Sequence, residues 1–147
     1  MLHAGHVEYL QQARELGDVL IVGVNSDDSV RRLKGPGRPV NREADRVRVL
    51  AGLRSVDHVV VFTEDTPEAL IRAVRPEVYV KGGDYDADTL PERSFVESYG
   101  GRVAVLTYVP GLSTSEILAR IRDGRCRSRS AGYEPAHAGS GDQRNLS

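Results

Sequence analysis

Two imidazoles, His3 and His6, stand at the start of the chain around Ala4 and Gly5, and the amphipathic stretch Val7-Glu8-Tyr9-Leu10-Gln11-Gln12-Ala13 follows at once. Imidazoles donate hydrogen bonds to phosphate oxygens, most strongly when a neighbouring anion keeps them protonated. A glycine beside a helix start lets a ligand approach the backbone. The unpaired N–H groups and positive dipole end of that helix favour a phosphate. Phosphate chemistry is therefore one expectation for His3, Gly5 and His6. A loose His-x-x-His metal spacing and an unstructured chain end are the others.

The bulk properties narrow the partners. A chain of 147 residues is one domain by length and can bury a real core. Its net charge of −1 gives no electrostatic case for nucleic acid or a membrane surface. Trp is absent and aromatics are few, which argues against a stacking platform for single strands. The single cysteine, Cys126, cannot form an internal disulfide and suits a reducing compartment. No apolar stretch approaches the roughly 20 residues of a membrane span and no signal-peptide pattern is present, so a cytoplasmic location is expected.

The elements that must position the histidines follow in alternation. Val7, Leu10, Ala13, Arg14 and Leu16 recur at helical spacing over 5–16, with Gly17 as the expected C-cap. The aliphatic run at 18–24 reads as a strand buried on both faces. Helices are expected over 28–33 and 42–53, separated by the basic loop Lys34-Gly35-Pro36-Gly37-Arg38-Pro39. A strand at 58–62, a helix at 65–74, a strand at 78–81, a helix at 90–99, a strand at 103–106 and a helix at 116–121 complete the pattern. This alternation specifies an α/β fold with a doubly wound parallel sheet over 1–122. From 123 to 147 apolar periodicity is lost, and a disordered tail is expected.

In open α/β sheets ligands bind beyond the carboxyl ends of the strands. The polar segments expected there are Asn25-Ser26-Asp27, Lys81-Gly82-Gly83-Asp84 and 110–115, converging beside His3 and His6.

Taken together, His3-Ala4-Gly5-His6 and Gly111-Leu112-Ser113-Thr114-Ser115 resemble the His-x-Gly-His and Ser-Thr signatures of the nucleotidyltransferase superfamily. Gly23-Val24-Asn25-Ser26-Asp27, the segment 32–39, Arg46-Val47-Arg48-Val49-Leu50 and Val80-Lys81-Gly82-Gly83-Asp84-Tyr85 narrow the likeness. They resemble the D-glycero-β-D-manno-heptose 1-phosphate adenylyltransferase domain of the bifunctional heptose kinase/adenylyltransferase. The resemblance covers about residues 2–121 and implies a Rossmann-like nucleotidyltransferase. It also implies transfer of AMP from ATP to a sugar 1-phosphate, with Mg²⁺ bridged mainly by the triphosphate.

The same resemblance implies residue roles. His3 and His6 would stabilise charge on the transferring phosphate and leaving group. Lys34, on a mobile loop, would close over the phosphates, and Arg46 would support the site from its helix. Ser113, Thr114, Ser115 and the last helix would hold the β- and γ-phosphates, while Gly82, Gly83 and Asp84 would lie against the sugar or nucleoside. Plainer roles fit the same residues. Ser113 and Thr114 suit helix capping, Lys34 and Arg46 suit solvated charges, Asp84 suits a turn, and Gly82 and Gly83 suit tight backbone geometry. The resemblance leaves room for a homo-oligomer and for a separate sugar kinase in the pathway.

Two further expectations come from departures. The family pattern runs a strand and a Gly-x-Phe-Asp-like stretch into the histidine loop, and here Met1 stands where that stretch would end. The first, central strand is thus missing between the strands at 19–24 and 78–81, at a cost that could match a domain's roughly 5–15 kcal/mol of stability. A misassigned start, a truncated remnant, or a segment from elsewhere such as a second protomer would each account for it. Related cytidylyltransferases, acting on glycerol or amino-alcohol phosphates, carry an Arg-Thr pair where this chain has Tyr108-Val109. That argues against cytidine. A catalytically inactive nucleotide-binding module is the alternative of a different class.

Overall fold

In a computed structural model, which describes residues 2–83, 89–106 and 114–123, the expected alternation of helix and strand is realised with shifted boundaries. Helix α1 spans Ala4–Arg14. Its C-cap is Glu15, not Gly17, because the backbone N–H of Glu15 already bonds back to Gln11. Strand β1 spans Ile21–Asn25, helix α2 Asp27–Lys34, helix α3 Glu43–Ala51 and strand β2 His58–Phe62. Then come α4 (Glu68–Val74), β3 (Val78–Gly82), α5 (Arg93–Ser98), β4 (Arg102–Leu106) and α6 (Thr114–Arg122).

The strands pair in parallel, and the helices between them supply the crossovers that parallel neighbours need. Ile21 to Asn25 of β1 align with His58 to Phe62 of β2. Val78 to Gly82 of β3 align with Arg102 to Leu106 of β4. Among the described residues no ladder joins the two pairs, so the sheet is split into β1-β2 and β3-β4. Tail residues 124–147 lie outside the described residues.

Burial corrects one expectation. The aliphatic run at 18–24 is not covered on both faces: Val24 is 6% exposed, but Val19 is 58% and Ile21 37% exposed. The reason is architectural. Helices α2 and α3 pack on β1, while α1 packs against β4, so β1 is sheltered unevenly. The buried apolar residues are Leu10 and Ala13 of α1, Val24 of β1, Ile71 of α4, Val96 of α5, and Val56 and Leu90 between elements.

Two glycines set close approaches. Gly23 lies under Leu70, where a methyl group would come within 2.9 Å of the leucine side chain. At Gly101 a methyl group would meet Tyr99 at 2.8 Å, Val96 at 2.9 Å and the carbonyl of Pro76 at 3.0 Å. That tight passage lets Arg102 donate its N–H to Glu77 and enter β4.

Candidate active site at the strand ends

His3 is the N-cap of α1, with extended backbone, and its carbonyl accepts the N–H of His6 at 2.9 Å. The cap makes no side-chain hydrogen bond to the helix, and no acidic residue lies in the first turn. The positive end of α1 therefore has no carboxylate of its own to compete with an incoming anion. Gly5 is buried in that first turn. The His3 and His6 rings are 4.0 Å apart between centroids and tilted by 58°. The chain thus brings the two imidazoles together.

The His6 ring is held neutral. Burial, then the adjoining His3 ring and other positive charge including Lys34, lowers its pKa from 6.5 to about 4. Nδ1 of His6 is buried and has no hydrogen-bond partner among the described residues. A neutral imidazole still has one N–H to donate, and an arriving phosphate would draw the ring towards protonation.

Lys34 departs from expectation. It is the last residue of α2, not part of a loop, and is exposed. Gly35, in a left-handed conformation at φ 80°, closes the helix through its N–H to Arg31. Lys34 nonetheless contributes to the field at His6.

Arg46 works at the other end of the same helix. Its Nη2 donates to Asp27 Oδ1 at 2.8 Å, and Asp27 opens α2. That hydrogen bond, strengthened by the Arg46 charge, holds the Asp27 carboxyl below its ordinary range. Glu43 accepts the Asp27 N–H at 3.2 Å, so the start of α3 caps the start of α2. Nε of Arg46 is buried without a partner among the described residues. At 1.5 Å per residue, Asp27 and Lys34 lie about 10 Å apart along α2. Arg46 and Lys34 therefore flank α2 and do not meet.

The polar segment after β1 is fastened from within. Ser26 accepts the Ser29 N–H at 3.2 Å and so caps α2. Ser29, fully buried, accepts from Asn25 Nδ2 at 2.9 Å and donates to the Glu64 carbonyl at 2.9 Å. Sequence reasoning named Asn25, Ser26 and Asp27 but missed Ser29, although Ser26-x-x-Ser29 is a capping spacing.

On the other sheet, Gly82 ends β3 and Gly83 donates its N–H to the Leu106 carbonyl at 3.0 Å. With φ at 133°, Gly83 takes a conformation that side chains disfavour, so its glycine serves backbone geometry. Lys81 lies 3.5 Å from Glu92, a carboxylate only 7% exposed. Glu92 was missed because a contact across eleven residues leaves no local pattern. Burial pushes the Tyr79 phenol up, and the charge of Glu92 adds to the shift.

Asp84 and Ser113 lie outside the described residues, as do Tyr108 and Val109. Thr114 and Ser115 form the start of α6, where their backbone is described and their side chains are not. Among the described residues no group of three or more His, Cys, Asp or Glu could hold a metal. No described helix is long and apolar enough to cross a membrane.

With this geometry in hand, similarity to known proteins is informative. The chain is 55% identical over 123 residues to the bifunctional protein HldE of Syntrophotalea carbinolica, covering 84% of this chain and 25% of the relative. It is 57% identical over 124 residues to the protein of the same name from Streptomyces coelicolor, covering 84% and 27%. The chain therefore spans about a quarter of the length of the relatives it matches. The crystal structure of the lipopolysaccharide core biosynthesis protein from Thermoplasma volcanium superposes with a TM-score of 0.60 at 29% identity, covering 74% of this chain and 88% of that one. The family model described as cytidylyltransferase-like matches residues 1–122, nearly the whole of the described α/β unit. The match takes in the helix start that carries His3, Gly5 and His6 together with the parallel strands, and the chain belongs to the cytidylyltransferase-like family.

Proposed function

We propose that the chain is a nucleotidyltransferase that moves AMP from ATP to a sugar 1-phosphate. The acceptor is D-glycero-β-D-manno-heptose 1-phosphate, and the products are ADP-heptose and pyrophosphate. The single observation that carries this reading is the paired His3 and His6 at an uncapped, acid-free helix start. The identity of 53–57% to bifunctional HldE proteins supports it.

An acceptor phosphate oxygen attacks the α-phosphorus of ATP, and the bond from that phosphorus to the oxygen bridging to the β-phosphate breaks. Pyrophosphate leaves with the electron pair. Such a reaction asks mainly for positioning and charge stabilisation. The α1 N-terminus and the His6 N–H face the charge that develops on the transferring phosphate. Lys34 supplies a point charge from the end of α2. Arg46 fixes the start of α2 through Asp27. Thr114 and Ser115, which open α6, and Ser113 before them in sequence hold the β- and γ-phosphates, and Gly82, Gly83 and Asp84 border the sugar or nucleoside. The described residues do not fit a resident metal, since Asp27 is engaged by Arg46 and no acidic cluster exists among them. Mg²⁺ enters as the counter-ion of the ATP substrate.

The test is to offer ATP and, separately, CTP with the heptose 1-phosphate, and to identify the sugar nucleotide by mass. ADP-heptose from ATP supports the reading, and CDP-heptose from CTP alone overturns the choice of donor. ATP binding with no product from either nucleotide would favour an inactive binding module.

A further inference from the structure

Among the described residues Glu92 is the only buried carboxylate, at 7% exposure. Its Oε1 lies 3.5 Å from Lys81 Nζ, beyond the about 2.7–2.9 Å of a strong charge-assisted bond. Its Oε2 is buried and has no hydrogen-bond partner among the described residues. Glu92 stands at the N-cap of α5, but its side chain makes no capping bond there. A carboxylate taken out of water with one oxygen unmatched costs stability until a donor reaches it.

The neighbours of Glu92 place it beside the strand end. Tyr79 and Lys81, two residues apart on β3, share one face of that strand. Burial raises the Tyr79 phenol, and the charges of Glu92 and then of Tyr9 add to the rise, so Glu92 faces the seam between β3 and α1. Tyr9 follows His6 by three residues and lies on the same face of α1. Lys81 is partly exposed and precedes Gly82, where β3 ends. The carboxyl ends of parallel strands are where open sheets take ligands. A carboxylate that only accepts and an ammonium that only donates match a hydroxyl, which does both.

We propose that Lys81 and Glu92 form a hydroxyl-recognition site, in which Glu92 Oε2 accepts from, and Lys81 donates to, hydroxyls of a polyol bound at the end of β3. The ammonium, on its flexible stem, turns from Glu92 to the ligand and uncovers Oε2 as it does so. The site rests on the nucleotidyl-transfer reading only for the sources of those hydroxyls, the acceptor sugar and the ribose of ATP. Neither residue has a part in the transfer as described above, and both act on which ligand is held.

The test is calorimetric binding to the unaltered chain, to E92Q and to K81M. The ligands are heptose 1-phosphate with its monodeoxy derivatives, and ATP with 2′-deoxy-ATP and 3′-deoxy-ATP. Circular dichroism checks each fold. E92Q decides, and K81M, altered at the partly exposed partner, decides should E92Q fail to fold. The site predicts a roughly tenfold loss of affinity for the ligand whose hydroxyl is held, and a change of less than about twofold for the analogue lacking that hydroxyl. A hydroxyl-dependent loss within the heptose series names the acceptor as the source, and one within the ATP series names the ribose. Equal losses for a ligand and all its analogues, as a purely structural role would give, overturn the proposal. So do the absence of any loss and a folded chain that binds neither ligand. The two readings fail separately. A hydroxyl-dependent loss in a chain that makes no sugar nucleotide would keep the site and end the transfer reading. Losses blind to the hydroxyls in a chain that makes ADP-heptose would do the reverse.

Discussion

At His6 the balance is between burial and charge. The ring's pKa falls from 6.5 to about 4 because burial and neighbouring positive charge both disfavour the imidazolium. In the unfolded chain the ring titrates near its ordinary value, so between about pH 4 and 6.5 the unfolded state holds more protons. Stability therefore rises with pH across that window and is flat, for this group, on either side. Denaturant unfolding across the window should show the slope in the unaltered protein and a shallower one in His6→Asn. In the transfer reaction, His6→Ala removes a donor from the developing charge and should lower kcat by about 10²–10³. Steady-state kinetics would check it, with a drop below about threefold counting against the role. Arg46 acts differently, through Asp27. Arg46→Ala should raise the Asp27 pKa, read from its carboxyl carbon in an NMR titration, because the hydrogen bond holding the charged form is gone. Of these residue-level facts, the sequence disclosed the paired histidines through their spacing. It did not disclose that Arg46 answers to Asp27, since nineteen residues separate them.

The elements were legible wherever periodicity and local chemistry agreed. All six expected helices and three of the four strands needed only boundary shifts, and β2 needed none. Lys34 was misplaced in a loop because Gly35 and Pro36 look like a break one residue too early, while the helix in fact closes on the Gly35 N–H. Burial was less legible than periodicity. An aliphatic run reports that a strand can be covered, and β1 shows that packing neighbours decide whether it is. The Ser29 hydroxyl joins Asn25 of β1 to the Glu64 carbonyl beyond β2, so Ser29→Ala should cost about 1–3 kcal/mol and lower the melting temperature, as scanning calorimetry would show. Gly101→Ala should cost a similar amount, about 1–3 kcal/mol, because a methyl group there runs into Val96 and the Pro76 carbonyl. Gly23→Ala meets only the end of a leucine side chain and should cost less.

The whole molecule joins two parallel strand pairs, each with its own helices, and the loops at their carboxyl ends carry the polar residues. The alternation of helix and strand made the α/β class readable from the chain, because each period is set locally by residue type. Strand order was less readable, since it is a matter of long-range pairing that leaves no local pattern. Family membership is shown over residues 1–122. It leaves the reaction itself to be measured. The most direct measurement uses ATP labelled at its α-phosphate together with the heptose 1-phosphate. The account predicts that the label appears in the sugar nucleotide and not in pyrophosphate, and that His6→Ala slows its appearance. Label that stays in ATP, in a folded protein that binds ATP, would contradict the account.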